Sequence, residues 1–437
     1  MSDVDLVVSG GKVFFKNMLH DGGVAVDDGK IKAVGKDGRL PSAQERLNVG
    51  GRIICPGLID SHVHLRDMGY SYKEDFRSGT LAAAAGGFTT VLDMPNTLPV
   101  TDSLQTLSEK LERAKANIHV NVGFFLALTE KTDFRALPLC IGLKAYLHSE
   151  REEIVVGTER ILEAVKMLPD GYPLAVHAEK NSLINDLLKQ ASRRNMGIVE
   201  RFLYSHPIEA EVQSVKEVIQ TIPRGKNIHF CHISAPESIS AIMSSGIHAS
   251  AEVTAHHLFL SSRAVIKLGA IALTSPPARE TSTIRGLVEA LRRGSIGVVA
   301  SDHAPHSFEE KKSDTPPPGI PGLETTLPLM LSLVQKGLID LATLIKAMSS
   351  TPARVFGLRG RGSIDVGEAA DLTVVDLKSP WTIDSSKFFS KAKYSPFDGL
   401  EVRGGSWATI VGGKLIMQDG EPIAQPGTGR MLSRGSL

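Results

Sequence analysis

Eight apolar, strand-like runs recur along the middle of this chain, and helical stretches separate most of them. The runs are 52–65, 89–96, 119–128, 140–147, 173–179, 227–233, 248–257 and 296–303. "DSLQTLSEKLERAKA", "VVGTERILEAVKML", "IEAEVQSVKEVIQTI" and "TIRGLVEALRRG" carry apolar residues at helical spacing, and Asp102 or Ser103 is placed to cap the first. Strands that alternate with helices must lie parallel and be covered by those helices. Eight such units predict an α/β fold, a (β/α)8 barrel of the TIM type. The structural alternative is a doubly wound open sheet, but no G-x-G-x-x-G turn follows a strand.

Both ends of the chain read differently. "DLVVSGGKVFF", "GGVAVDDGKIKAVG", "AADLTVVDL" and "WATIVGGKLIMQDGEPI" are β-rich runs punctuated by Gly and Asp, as hairpins are. They predict a small β-sandwich domain built from both termini, residues 1–51 and 361–437, around a barrel at 52–360.

In such a barrel the functional groups sit at the C-terminal ends of the strands. The polar outliers fall there: His62 and His64 on the first strand, Lys144 on the fourth, His177 on the fifth, His232 on the sixth and Asp302 on the eighth. Strand alternation would put Asp60, His62, His64 and Arg66 on one face. Neutral imidazoles with a carboxylate are good ligands for zinc or a similar divalent ion. Four histidines and an aspartate exceed the three protein ligands usual for one catalytic zinc, so two metals are expected. A buried lysine is driven neutral, and a neutral amine can add carbon dioxide. Lys144 could thus become an N6-carboxylated bridge between them; the plainer alternative is a lysine reaching the rim or pairing with a carboxylate. Arg66 is suited to an anion, and His306 in "DHAPH" to substrate. His148 and His206 read as surface or structural groups, His256 and His257 as supporting ones. His229 carries no functional signal.

The chain has 437 residues and a formal net charge of +1, a balance that favours neither a nucleic-acid surface nor a membrane patch. Three scattered cysteines form no disulfide framework, and the N-terminus has no signal-peptide pattern, so a cytoplasmic location is expected.

"DSHVHLRD", "AAAAGGFTTVLDMPNT", "GLKAYL", "AVHAE", "CHIS", "SDHAPH" and "PGIPGLET" together resemble the dihydroorotases of the amidohydrolase superfamily. Within it they resemble the larger class that includes the dihydroorotase domain of the animal multifunctional pyrimidine enzyme. The resemblance covers almost the whole chain. It implies reversible cyclisation of N-carbamoyl-L-aspartate to L-dihydroorotate in pyrimidine biosynthesis, by a metal-bridging hydroxide with Asp302 as general base and acid. It implies two divalent ions, zinc the natural choice: one on His62, His64 and Asp302, the other on His177 and His232, with carboxylated Lys144 between them. Arg66, Asn96 and His306 would bind the substrate carboxylate, and the backbone of Pro321 and Gly322 the ring. Ser275 stands where many relatives have asparagine, so that substrate contact would be lost or run through water. Residues 307–322 would form a lid. The implied partner is a small-molecule substrate, with a homodimer compatible. The alternatives are another cyclic-amide hydrolase (hydantoinase, dihydropyrimidinase or allantoinase) or a metal-free, non-catalytic paralogue.

Overall fold

A computed structural model describes residues 4–434. Its centre is a barrel of eight parallel strands: β1 (Leu58–Val63), β2 (Phe88–Asp93), β3 (Asn121–Ala127), β4 (Gly142–Tyr146), β5 (Leu174–His177), β6 (Ile228–Phe230), β7 (Ala249–Thr254) and β8 (Val298–Ala300). Each strand pairs in parallel with the next. Past the end of β8 a bridge from Val63 to His303 closes the ring, and the His64 amide donates to the His303 carbonyl at 2.8 Å.

The predicted helices form. Leu104–Ala114 is capped by the Ser103 hydroxyl, which accepts from the Thr106 amide while Thr106 caps back. Ile208–Thr221 and Thr281–Arg292 lay their apolar faces on the sheet: Val215, Val218, Leu287 and Leu291 are buried in the core that joins strands to helices.

The first predicted run, 52–65, divides. Ile53–Pro56 pairs antiparallel with Leu372–Thr382 of the terminal sheet, and only Leu58–Val63 enters the barrel. Gly57 is the joint. A Cβ there would come within 2.2 Å of Thr89 Oγ1 and 2.9 Å of Asp371 Cβ, so only glycine allows the two sheets this close. The run 248–257 is also shorter as a strand than expected. Thr254 ends it by capping the short helix Ala255–Phe259, which carries His256 and His257.

Strands from both chain ends make one mixed sheet. Its order is Glu421–Pro422, Lys414–Gln418, Glu401–Val411, Leu372–Thr382, Ile53–Pro56, Val4–Phe15, Met18–Asp27 and Lys30–Gly35, with Ala43–Asn48 added against Val4–Phe15. Four hairpins turn on two residues with positive φ, at 16–17, 28–29, 412–413 and 419–420. That is the turn whose twist matches paired strands. Val8, Val24, Val26, Ile54, Val374 and Ile410 fill its core. Met431–Leu432 leaves this sheet and pairs with β3.

Candidate metal and substrate site

His62 stands at the end of β1, and its environment fixes its tautomer. Nδ1 lies 2.5 Å from Glu252 Oε1, so the ring proton sits there and Nε2 is left bare. His64 repeats the device, with Nδ1 2.7 Å from Asn96 Oδ1. The two Nε2 atoms converge on Asp302 Oδ1, at 3.5 and 3.2 Å. Three acceptors thus meet with no donor between them, which is unfavourable unless a cation joins them. This donor set fits a divalent metal. His62 also converges with Cys231 and Glu252.

Burial keeps these imidazoles neutral. It pushes His62 down to about 4, holds His64 and His232 well below the usual range and lowers His177. Burial acts oppositely on Asp302, whose carboxyl is raised.

On the other side of the barrel, His177 Nε2 is 3.0 Å from Glu179 Oε2, leaving Nδ1 as an acceptor that faces His232 Nε2 at 3.0 Å. His232 Nδ1 is buried with no hydrogen-bond partner among the described residues. Lys144 is fully buried between the two sides, and its Nζ donates to Cys231 Sγ at 2.8 Å. Its charge acts on His62, His64, His177, His232 and Asp302 alike, which marks its central place.

Glu252 was not among the predicted site residues. This fully buried carboxylate on β7 takes His62 Nδ1, the Ser61 hydroxyl (2.9 Å), His229 Nε2 (2.9 Å) and the His232 amide (3.2 Å). Burial alone would raise it, but His62 and His229 hold it well below the usual carboxylate range. An acidic residue inside the otherwise apolar run "ASAEVTAHH" was the available signal. Glu179 plays the matching part beneath His177. His229, without a predicted role, steadies Glu252.

Arg66 is placed by a turn and not by alternation. β1 ends at Val63, and Arg66 has φ 59°. Its Nε donates to the Pro305 carbonyl at 3.3 Å, and its Nη2 lies 3.2 Å from His306 Nε2. Asp60, expected on the same face, faces away from the ligands: it accepts from the Ser301 amide and ties β1 to β8. His232 and Asp302 share the left-handed backbone, at φ 33° and 46°. Each such residue costs on the order of 1–3 kcal/mol, held by the surrounding packing.

A cavity of about 520 Å³ opens over these groups, lined by both metal sides together with Arg66, Asn96, Tyr146, His306 and Ser275. Ser275 spends its hydroxyl on Glu179 Oε2 at 2.9 Å. His306 accepts from Lys73 Nζ (3.2 Å), so its proton sits on Nε2 and is donated to the Pro318 carbonyl at 3.0 Å; Arg66 Nη2 beside it is then a second donor, and the two converge without bonding to each other. Pro321 and Gly322 do not line the cavity. They lie behind it, where the Gly322 amide donates to His303 Nδ1 at 3.2 Å and Gly322 caps the helix Leu323–Gln335. Pro317, Pro318 and Gly319 face the cavity in their place. Arg151, also without a predicted role, binds the Asn96 and Thr97 carbonyls at 3.1 and 2.8 Å.

A barrel with this rim of histidines, lysine and aspartate defines a class of metal-dependent hydrolase, and the chain belongs to the amidohydrolase family, whose model matches residues 53–416. Its curated relatives include dihydroorotases. That of Methanothermobacter thermautotrophicus is 38% identical over 94% of this chain and 93% of its own length, and that of Pyrococcus horikoshii 37% identical over 100% and 97%. Among solved structures, the L-hydantoinase of Arthrobacter aurescens superposes with a TM-score of 0.94 at 28% identity, over 99% of this chain and 100% of that one.

Proposed function

We propose that the protein interconverts N-carbamoyl-L-aspartate and L-dihydroorotate, the ring-closing step of pyrimidine synthesis, in the cytoplasm. The observation that carries this reading is the convergence of two donors, Arg66 and His306, at the wall of the cavity that the metal ligands floor. A hydantoin or dihydrouracil has no carboxylate to occupy them.

His62, His64 and Asp302 would hold one divalent ion, zinc by the chemistry of the donors. His177 and His232 would hold a second, with Lys144 as a carboxylated bridge. Bound there, such ions supply Lewis acidity and lower the pKa of water toward neutrality. The chain's own groups do the rest. Arg66 offers a planar fork to the substrate carboxylate. Asn96, whose oxygen accepts from His64, has its amide N–H groups left to donate to the same carboxylate. The His306 Nε2–H, which donates to the Pro318 carbonyl, can turn to it as well. These contacts hold the reacting carbonyl over Asp302. In the hydrolytic direction Asp302 takes a proton from the attacking water and gives it to the leaving ring nitrogen. In synthesis the order reverses. The segment around Pro317–Gly319 would act as the lid that excludes water.

The test is a side-by-side assay of dihydroorotate, hydantoin, dihydrouracil and allantoin with metal-loaded protein. Dihydroorotate should be turned over with a kcat/KM at least ~100-fold above the others. Preference for hydantoin would remove the carboxylate role from Arg66, Asn96 and His306. Protein that binds no metal and turns over none of the four would be a non-catalytic paralogue.

A further inference from the structure

The outer wall of the cavity carries a second histidine pair, used neither by the metal ligands nor by the substrate contacts described above. His148 and His206 are both buried, and both line the cavity. Their Nε2 atoms face each other at 3.4 Å. The other nitrogen of each ring has an oxygen partner. His148 Nδ1 lies 2.8 Å from Asn181 Oδ1, and His206 Nδ1 lies 3.0 Å from the Phe202 carbonyl. Ser205 Oγ also lies 3.0 Å from His206 Nδ1, but its hydroxyl donates to the Phe202 carbonyl; with acceptors at both Nδ1 atoms, each ring carries its proton there. Two bare lone pairs are left pointing at each other. Burial pushes His206 down to about 4.

The surroundings are built to hold this arrangement. Phe202 stacks on His206, with ring centroids 4.1 Å apart and planes 20° from parallel. Glu179 lies close enough for its charge to act on His206. Its Oε2 is taken by His177 and Ser275, while Oε1 is buried with no partner among the described residues.

We propose that His148 Nε2 and His206 Nε2 form an additional site for a divalent cation of the zinc, cobalt or copper type, separate from the His62–His64–Asp302 set. The geometry is right for such an ion. Two metal–imidazole bonds of ~2.05 Å that span 3.4 Å subtend about 112°, since half of 3.4 over 2.05 is the sine of about 56°. That is close to the tetrahedral angle zinc adopts. The remaining positions open on the cavity and take water, and the Glu179 carboxylate supplies negative charge nearby. Imidazole donors select this class of ion over magnesium or calcium.

Crystals of the full chain soaked in zinc chloride test the proposal by anomalous scattering at the zinc edge. The expected result is a peak ~2.1 Å from both Nε2 atoms, resolved from any peak at His62, His64 and Asp302. Equilibrium dialysis against zinc then counts ions. The wild-type protein should hold one more per chain than His148→Gln or His206→Gln. No peak between the rings at zinc saturation overturns the proposal and leaves a simple histidine–histidine hydrogen bond. So does an equal ion count in the wild type and both well-folded variants. Should the variants fail to fold, the wild-type map alone decides.

Discussion

On the side of the barrel where β1 meets β8, His62, His64 and Asp302 are fully prepared. Each histidine has its proton drawn to Nδ1 by an oxygen, from Glu252 or Asn96, and three acceptors converge. On the side of β5 and β6, the preparation is partial. Glu179 fixes the His177 ring, but His232 has a buried nitrogen with no partner among the described residues. The difference lies in what each side draws upon. The first is completed by neighbouring strands and is rigid before any ion arrives. On the function proposed above, the second would be completed by a carboxylated Lys144. A first metal should therefore bind tightly and early, and a second should depend on bicarbonate.

Asp302→Asn strikes the prepared side and the proton transfer together. A loss of roughly 10³-fold or more in kcat is expected in both directions, with circular dichroism unchanged; near-normal turnover would strip Asp302 of its role. Arg66→Ala leaves both metal sides intact. It should raise KM for dihydroorotate by an amount worth about 2–5 kcal/mol while metal content by atomic absorption stays at the wild-type level. Glu252→Gln and Glu179→Gln weigh the two sides directly. Each should weaken metal binding by roughly 10–100-fold in a chelator competition. The larger loss is expected for Glu252, which holds four groups. An equal loss would remove the asymmetry.

The smallest effect concerns the segment around Pro317 and leaves both metal sides untouched. Burial pushes the Lys311 amine down to about 7, and its Nζ donates to the Pro317 carbonyl at 2.8 Å. Between about 7 and the usual lysine value the unfolded chain binds a proton that the folded chain does not. Stability should therefore rise with pH across that window and lie at its lower level beneath it. Lys311→Met should flatten the slope by on the order of 1 kcal/mol per pH unit, read from urea denaturation midpoints at pH 7 to 9. A steeper slope in the variant would reverse the sign.

Much of this was legible in the sequence because a charged or imidazole side chain at the end of an apolar run has few reasons to be there. His62, His64, Lys144, His177, His232 and Asp302 all announced themselves in that way. Arg66 was flagged as an anion contact, but its route to the cavity was not legible, because a left-handed turn after β1 replaces the alternation a strand would impose. Pro321 and Gly322 are displaced from the cavity for a similar reason. The chain reaches it three residues earlier and then dives under His303. Glu252, Glu179 and His229 stayed hidden because their work is done on other side chains. Such pairings join residues far apart in sequence, and only the closed ring brings them together.

The closing bridge between Val63 and His303 has one more consequence. The seam that completes the barrel joins the same two strands that bring His62 and His64 to Asp302. A nascent chain that has not yet been translated past residue 302 can have neither the seam nor the three-ligand set. Metal capture on that set is therefore postponed until nearly the whole barrel exists, and the ion, once seated, becomes a rivet across the last joint to close.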